Sequence, residues 1–388
     1  MNTRTFLCAQ NAVRAEVYTF CSTQGTSELH VMLHIVNTKR SFHESLLLIT
    51  QAYDELWKVD ELSAFKPLFR RFFLSDPANQ SALLEAQIAT DNTCATAWVG
   101  QPPLDGTKIA LWVLAVDSNT ATTQPASCGA TETVWPHNGL THVWHANYHT
   151  EGEDSATQTD TILKSYVSDL ERHQMTLAGN FQRTCFFVHD VDIHYAGVVK
   201  ARKDYFIQHG LTPETHYIAS TGIQGNGAQP HDLVRLDSYA IKGLCPEQVT
   251  YLYARTHLNP TYEYGVTFER GVKISYADRA HLFISGTASI NNQGEVVHIG
   301  DIVKQTQRMW DNVDALLKEG NSSFDDVAHM LVYLRDTADY DVVKRMFEER
   351  FPHTPKVFLL APVCRPQWLV EMECIAISKE CHDVFPSY

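Results

Sequence analysis

The sequence predicts an α+β protein built from three tandem units, each a mixed sheet with helices packed on one face. Three observations lead to this fold class. The segment 283–378 carries strand and helix patterns in an order that makes one complete unit. Two looser copies of that order lie upstream, and each copy has an aspartate at the same point, at Asp76, Asp190 and Asp336. Repetition of this kind predicts functional sites where neighbouring units meet, built from unlike residues.

The elements of the third unit follow from the periodicity of its apolar residues. Alternating and apolar runs predict strands at 282–290, 326–334 and 369–378. Amphipathic spacing predicts helices at 302–318 and 341–351. The order is therefore strand, helix, strand, helix and closing strand.

The repeated aspartates each end a strand pattern and open a helix pattern, so we expect them at helix N-caps. A further helix pattern precedes each aspartate, and a closing strand follows it by roughly 40 to 50 residues. The closing strands are predicted at 109–116, 233–241 and 369–377. The resulting domain boundaries are 1–130, 131–245 and 246–388.

Composition and charge exclude several classes of protein. The 388 residues carry a formal net charge of −14, which weighs against a nucleic-acid partner because phosphate binding needs a positive surface. No run reaches the roughly 18 apolar residues of a membrane span, and the first ten residues lack the apolar core of a signal peptide. Nine cysteines without a CxxC pair suit a reducing compartment. We therefore expect a cytoplasmic protein.

Two motifs look like known binding signatures and are interpreted otherwise. HDVDIH, from His189 to His194, resembles a metal cluster, but alternation at a strand end would point its side chains to opposite faces. We interpret it as a polar turn. TGIQGNGAQ, at 221–229, is rich in glycine but does not open a helix after a strand, as a dinucleotide-binding fingerprint does. We interpret it as a loop whose backbone approaches a ligand.

The strongest chemical candidate is an acidic pair in the last strand. Alternation places Glu371 and Glu373 on one face, opposite Val370, Met372 and Cys374. Burial and the neighbouring negative charge raise the pKa of one such carboxyl toward neutrality, which suits a general acid. The alternative is a solvated strand face with two glutamates of no chemical role.

The third unit resembles the RidA/YjgF family over about its last hundred residues. The matching motifs are GDIVKQTQRMWDNVDALLKEG at 300–320, DDVAHMLVYLRD at 325–336 and WLVEMECIAI at 368–377. Proteins of that family are trimers with ligand sites between subunits, so the resemblance implies that three linked units form a covalent pseudo-trimer with a chorismate-mutase-like fold. The family's imine deaminases carry an arginine after the second helix, where this chain has Lys356.

A second resemblance, to the chorismatases, runs from about residue 161 to the last residue. Its matching motifs are ASTGIQGNG at 219–227, HLFISGTASI at 281–290 and VCRPQWLVEME at 363–373, with the segment from Tyr264 to Arg270 between them. Chorismatases hydrolyse chorismate on this fold. The resemblance therefore implies a pocket for a dicarboxylate ligand and no cofactor or metal.

The chorismatase resemblance also assigns individual residues. Glu371 matches the family's catalytic glutamate, while Arg365 and Arg270 match two arginines, the second after the Tyr264 segment. Arg202 matches one arginine of a helical pattern whose second arginine has no counterpart here. That missing arginine leaves open whether the substrate is chorismate itself.

Two further positions match one subtype of chorismatase. Gly286 and Cys364 both agree with the type that forms 3-hydroxybenzoate, although they lie far apart in the sequence. The expected reaction is conversion of chorismate to 3-hydroxybenzoate and pyruvate by a monomeric pseudo-trimer or a weak homo-oligomer. The alternatives are a RidA-like enamine or imine deaminase and a non-catalytic metabolite-binding protein of the kind labelled endoribonuclease L-PSP.

Overall fold

A computed structural model describes residues 3–23, 25–121, 123–127 and 129–388. It contains three six-stranded sheets that follow one another along the chain. This arrangement confirms the predicted α+β fold of three tandem units. In the described part of the chain, no helix is long and apolar enough to cross a membrane.

The first sheet has the strand order β1-β2-β3-β6-β4-β5. Its last two strands in that order, β4 and β5, are parallel, and the other pairs are antiparallel. The unit comprises β1 (Thr3–Cys8), β2 (Val13–Phe20), β3 (Glu28–Ile35), α1 (Phe42–Leu56), β4 (Phe65–Leu74), α2 (Pro77–Ile88), β5 (Ala95–Gly100) and β6 (Ile109–Asp117).

The second sheet repeats this order as β7-β8-β9-β12-β10-β11. The pair β10 and β11 is again parallel. The unit comprises β7 (Ala126–Ser127), β8 (Glu132–His137), β9 (Leu140–Tyr148), α3 (Ser155–Arg172), β10 (Phe181–Val188), α4 (Val191–Gln208), β11 (Ala219–Gln224) and β12 (Val234–Lys242).

The third sheet has the same order, β13-β14-β15-β18-β16-β17, with β16 and β17 parallel. The predicted helices and strands of this unit are all present. The unit comprises β13 (Val249–Leu252), β14 (Gly271–Ser275), β15 (Arg279–Ala288), α5 (Ile302–Glu319), β16 (Val327–Leu334), α6 (Tyr340–Arg350), β17 (Lys356–Leu360) and β18 (Val370–Lys379).

The repeated aspartates behave less uniformly than the N-cap prediction implies. Asp76 and Asp190 occupy the N-cap positions of α2 and α4, but neither side chain caps the helix. Asp336 does accept a hydrogen bond, from the backbone N–H of Ala338 at 2.8 Å. The predicted N-cap position is therefore confirmed for Asp76 and Asp190, although neither makes the capping hydrogen bond, whereas Asp336 caps a short 3₁₀ turn that precedes α6. Asp190 takes a left-handed conformation, with φ 45°, which turns the chain directly from β10 into α4.

Buried ion pairs join the units in a closed ring. Each seam, the surface along which two units meet, has a cation on one unit and a carboxylate on the next. Because these charges are withdrawn from water, losing one partner would leave the other uncompensated, which costs about 3–5 kcal/mol. The pairs are Arg71–Asp237 at 2.9 Å, Arg183–Glu373 at 2.6 Å, and Glu28 with Arg279 at 3.5 Å and His281 at 2.7 Å.

Candidate active site

A cavity of about 240 Å³ lies at the seam between the second and third units. Helix α4 and strand β11 supply its wall from the second unit, while β15, β18 and the loops before β14 and β18 supply the third-unit wall. Backbone bridges from Ala219 to Glu269 and from Ile223 to Val363 hold the two walls together. All seven residues selected from the sequence line this cavity: Arg202, Tyr264, Arg270, Gly286, Cys364, Arg365 and Glu371.

Glu371 sits on β18 between the two neighbouring strands of its sheet. It lies opposite Ala288 of β15 and Tyr333 of β16, and it is only 5% exposed. Among the described residues, no donor lies within hydrogen-bonding distance of its carboxylate oxygens. Burial, and then the charge of Glu373, raise the pKa of Glu371 to about 8, although Arg270 opposes the shift. The carboxyl is therefore mostly protonated at neutral pH.

Gly286 leaves the space that the Glu371 carboxylate occupies. The pairing of β15 with β18 shifts register between Ile284 and Thr287, so Gly286 lies in a bulge. A Cβ atom at Gly286 would stand 2.3 Å from Oε1 of Glu371 and 3.0 Å from Cγ2 of Thr221. The backbone N–H of Gly286 donates to Oγ1 of Thr221 at 3.0 Å. Any side chain at this position would therefore displace the acid.

Three arginines line the cavity without an acidic partner. In the part of the chain that the structure describes, none of their guanidinium groups has a carboxylate within 4.0 Å. Arg202 is 1% exposed, bonds weakly to hydroxyls of Thr267 and Ser220, and leaves Nη2 without a hydrogen bond. Arg270 donates only to Asn259. A buried cation without a counter-ion is costly, so these guanidinium groups could accept an anionic ligand.

Tyr264 holds two of these arginines in position. Its ring centroid lies 5.2 Å from Cζ of Arg270 and 4.7 Å from Cζ of Arg365. Both distances fall within the range of cation–π attraction. Arg365 also stacks on Trp368 and donates to the backbone carbonyl of Gly294 at 3.0 Å. The aromatic ring therefore fixes the guanidinium groups without neutralising them.

Cys364 lies in a loop of the third unit that pairs with the second unit through the backbone bridge between Val363 and Ile223. Burial first, and then the charge of Glu371, raise the pKa of its thiol to about 12, and the hydrogen-bonding neighbour Tyr195 only partly opposes this. The sulfur is therefore a protonated thiol and not a thiolate nucleophile at neutral pH. Its chemistry is limited to donating or accepting a weak hydrogen bond and exchanging a proton.

Sequence reasoning pointed to Arg202 and to the segment that contains Gly222, but it missed Tyr195 and Ser220, which the second unit also contributes. Tyr195 of α4 faces Gly222 of β11, where a Cβ atom would meet the Tyr195 hydroxyl at 3.1 Å. Ser220 supports Arg202 at 3.4 Å. The loop prediction for 221–229 is wrong at its start, because residues 219–224 form β11. Gly222 was the available sequence signal, because a glycine inside a strand marks a place where another group comes close to the backbone.

The other candidate motifs lie elsewhere. Glu373 belongs to the Arg183 ion pair and accepts a hydrogen bond from Tyr333 at 3.1 Å. It lines a separate cavity between the three sheets and is not a second acid in the seam cavity. The HDVDIH segment leads into α4, which begins at Val191, and does not continue a strand. Strand alternation, which we expected from the sequence, is therefore not the reason that its side chains point in different directions. Lys356 lines a cavity at the seam of the third and first units and bonds to two backbone carbonyls.

The fold and the seam cavity define a class of protein: three RidA-like units in one chain, with a cavity between the second and third units. A family model described as Endoribonuclease L-PSP matches residues 270–378. A RutC family protein of Pyrococcus abyssi is 35% identical over 98 residues, which cover 24% of this chain and 76% of that protein. The chain therefore belongs to the RutC family, and the residues that match the family model lie in its third unit.

Two further comparisons concern a deaminase of similar sequence and a solved structure. The 3-aminoacrylate deaminase RutC of Acinetobacter baylyi is 27% identical over 97 residues, covering 24% of this chain and 77% of the deaminase. A crystal structure of chorismatase superposes on 80% of this chain and 93% of its own, with a TM-score of 0.62 and 19% identity. At that identity the likeness concerns the fold, and it covers more of the chain than the family model does.

Proposed function

We propose that this chain is a chorismatase-like enzyme that converts chorismate to 3-hydroxybenzoate and pyruvate in the seam cavity. One observation carries the proposal: three unpaired arginines and a protonated glutamic acid face the same 240 Å³ space. Chorismate carries two carboxylates and an acid-labile enolpyruvyl ether. Guanidinium groups bind carboxylates through paired hydrogen bonds, and a protonated carboxyl next to them supplies the proton that the ether needs.

The proposed reaction begins with substrate orientation. Arg270 and Arg365, held by Tyr264, bind one carboxylate from the third-unit wall, and Arg202 binds the other from the second-unit wall. Glu371 then protonates the enolpyruvyl methylene carbon, which makes the ether oxygen a better leaving group. Burial of the lining side chains in protein strengthens each of these electrostatic interactions, because the effective dielectric constant there is lower than in water.

The second half of the proposed reaction forms the aromatic ring. The bond between the ring and the ether oxygen breaks, and its electron pair leaves with the pyruvate unit. The neighbouring ring hydroxyl loses its proton as its oxygen bonds to the vacated carbon, which gives an epoxide. The epoxide oxygen is protonated and its bond to the original carbon breaks, and the carbon that now carries the hydroxyl loses its hydrogen as a proton to form 3-hydroxybenzoate. Chorismate and the two products have the same total composition, so the conversion consumes no net water and no oxidant. We assign the proton exchange on the ring intermediate to Cys364, whose thiol stays protonated beside Glu371. This step needs neither metal nor organic cofactor.

The test is incubation of the full chain with chorismate, with pyruvate followed by a coupled dehydrogenase assay and the aromatic product by chromatography. Wild type should release both products in equal amounts. Glu371→Gln should reduce the rate by about 10²–10⁴-fold, the usual contribution of a general acid. Glu348→Gln, on the exposed face of α6, is the matched control and should leave the rate unchanged. Wild type without either product would overturn the proposal.

A second candidate is deamination of an enamine or imine, favoured by the likeness of the third unit to the 3-aminoacrylate deaminase RutC. Its arginine position is held here by Lys356, which lies at another seam and already donates to the carbonyls of Phe351 and Thr354. Ammonia release from an enamine generated in place, without pyruvate release from chorismate, would favour this candidate.

A further inference from the structure

A compact cluster of metal-binding side chains lies in the second unit, away from the seam cavity. Glu132 of β8 and His145 of β9 are direct cross-strand partners, and His173 follows at the C-cap of α3. Nε2 of His145 lies 2.7 Å and Nε2 of His173 lies 2.9 Å from the same oxygen, Oε2 of Glu132. The three ligand atoms lie within 4.8 Å of one another.

The donor set matches the chemistry of zinc. Three protein ligands drawn from histidine nitrogen and carboxylate oxygen, with a water molecule in the fourth position, are a common zinc arrangement. Ligands about 2.05 Å from a tetrahedral ion stand about 3.3 Å apart. The present separations of 2.7 and 2.9 Å would each open by about half an ångström, within reach of side-chain rotation.

Burial gives the cluster a closed side and an open side. Glu132 is 5% and His145 is 3% exposed, whereas the His173 side chain is 20% exposed. The rings of Tyr148 and Tyr166 pack against His145 at 5.6 and 5.9 Å and form the closed wall. An ion and its water would therefore enter beside His173.

The charges around the cluster permit a cation. Nη2 of Arg172 lies 3.7 Å from Oε2 of Glu132, but the Arg172 side chain is 62% exposed and already pairs with Asp169 at 2.6 Å. The Arg172 guanidinium can move toward Asp169, so a bound metal ion would not leave it buried without a counter-ion. The ammonium group of Lys242 is turned away, toward the backbone carbonyl of His173 and the side chain of Gln174.

We propose that Glu132, His145 and His173 form a binding site for one divalent transition-metal ion, with Zn²⁺ as the best match. The ion would tie the β8–β9 hairpin to the end of α3. Helix α3 in turn supports α4, since Oγ of Ser155 donates to the carbonyl of His194 at 2.8 Å and Gly197 lets the helices approach closely. The metal would thus brace the helix that carries Arg202 into the seam cavity.

The sequence did not reveal this cluster because its members are separated by 13 and 41 positions from Glu132 and lie on three elements. It did draw attention to His189 and His194, whose ring centroids lie 6.4 Å apart. His189 and His194 are the alternative binding site for any metal that the chain binds. It therefore serves as the internal control.

The experiment uses the full chain, stripped with a chelator and then titrated with Zn²⁺ by calorimetry and with Co²⁺ by visible absorption. We expect one equivalent of metal per chain and the absorption of a four-coordinate Co²⁺ site. Glu132→Gln and His173→Gln should each weaken binding at least tenfold. The double variant His189→Gln/His194→Gln should bind as wild type does. Zn²⁺ should also raise the melting temperature of wild type but not of His173→Gln, because only a ligand of the folded state stabilises it.

Several outcomes would overturn the site. They are the absence of saturable binding by wild type, equal binding by His173→Gln and wild type, and loss of binding in the His189→Gln/His194→Gln control. His173 is partly exposed at a helix end, so His173→Gln keeps the test decisive if the buried Glu132→Gln variant does not fold. None of these measurements uses enzymatic activity, so they are independent of the proposed reaction.

Discussion

Replacing Gly286 by alanine should separate the position of the acid from the stability of the fold. The new Cβ would lie 2.3 Å from Oε1 of Glu371, whereas ordinary contact begins near 3.4 Å, so the carboxylate must retreat by about 1 Å. A misplacement of that size costs a reaction on the order of 10²-fold. The crowding itself should lower the free energy of unfolding by only about 1–3 kcal/mol.

The matched control is Gly320→Ala in the same unit. Its Cβ would meet Cδ2 of Leu282 at 2.4 Å, a comparable overlap with the flexible end of a side chain outside the cavity. Initial rates of pyruvate release from chorismate, together with urea denaturation, measure both effects. We expect Gly286→Ala to lose about 10²-fold in kcat and Gly320→Ala to lose stability alone. Wild-type kcat in Gly286→Ala, or an equal loss in both variants, would refute the reasoning.

Three further predictions concern ionisation and charge. Activity should fall as pH rises through about 8, where Glu371 loses its proton. Between pH 6 and 9 wild type should also lose about 2–3 kcal/mol of stability relative to Glu371→Gln, because the carboxyl of the unfolded chain ionises near 4.5. Urea titrations that show no such difference would contradict the raised pKa. Arg202→Met should cost at least tenfold in kcat/KM with little loss of stability, since that cation has no carboxylate partner among the described residues. Arg183→Met should instead destabilise by about 3–5 kcal/mol, because it leaves the buried carboxylate of Glu373 without its cation. Similar melting curves for both variants would contradict this. Iodoacetamide at pH 7.5 should label exposed Cys381 well before Cys364, because the pKa of Cys364 is about 12. Mass spectrometry of the digested protein measures the order, and labelling of Cys364 first would show that its thiol is activated.

The third unit was predictable because local pattern and tertiary role agree there. Helix α5 begins at Ile302, as its apolar spacing indicates, while β16 begins one residue later than predicted and β18 is shifted by one residue at both ends. The short parallel edge strands were not predicted. Strand β11, with the sequence ASTGIQ, has too few apolar residues to alternate clearly, and its pairing with β10 supplies the order that its composition does not.

The cavity could be anticipated mainly from the third-unit side, since the second unit offered only Arg202 and the glycine-rich segment 221–229. Glu371, Cys364 and Arg365 lie within eight residues of one another, so a motif can carry them. Tyr195 comes from a helix whose apolar residues do not gather on one side, and it reaches Cys364 only after the units dock. Long-range partners of this kind have no local signature, because proximity in space arises from the docking of whole sheets.

The ring of unlike ion pairs has a consequence for how the molecule can change over generations. In a trimer of identical chains, one substitution appears at all three interfaces at once and must be tolerated at each. Here the pairs Arg71–Asp237 and Arg183–Glu373 belong to different seams of one polypeptide. A mutation therefore alters a single seam, and one interface can acquire new chemistry while the other two keep the assembly closed.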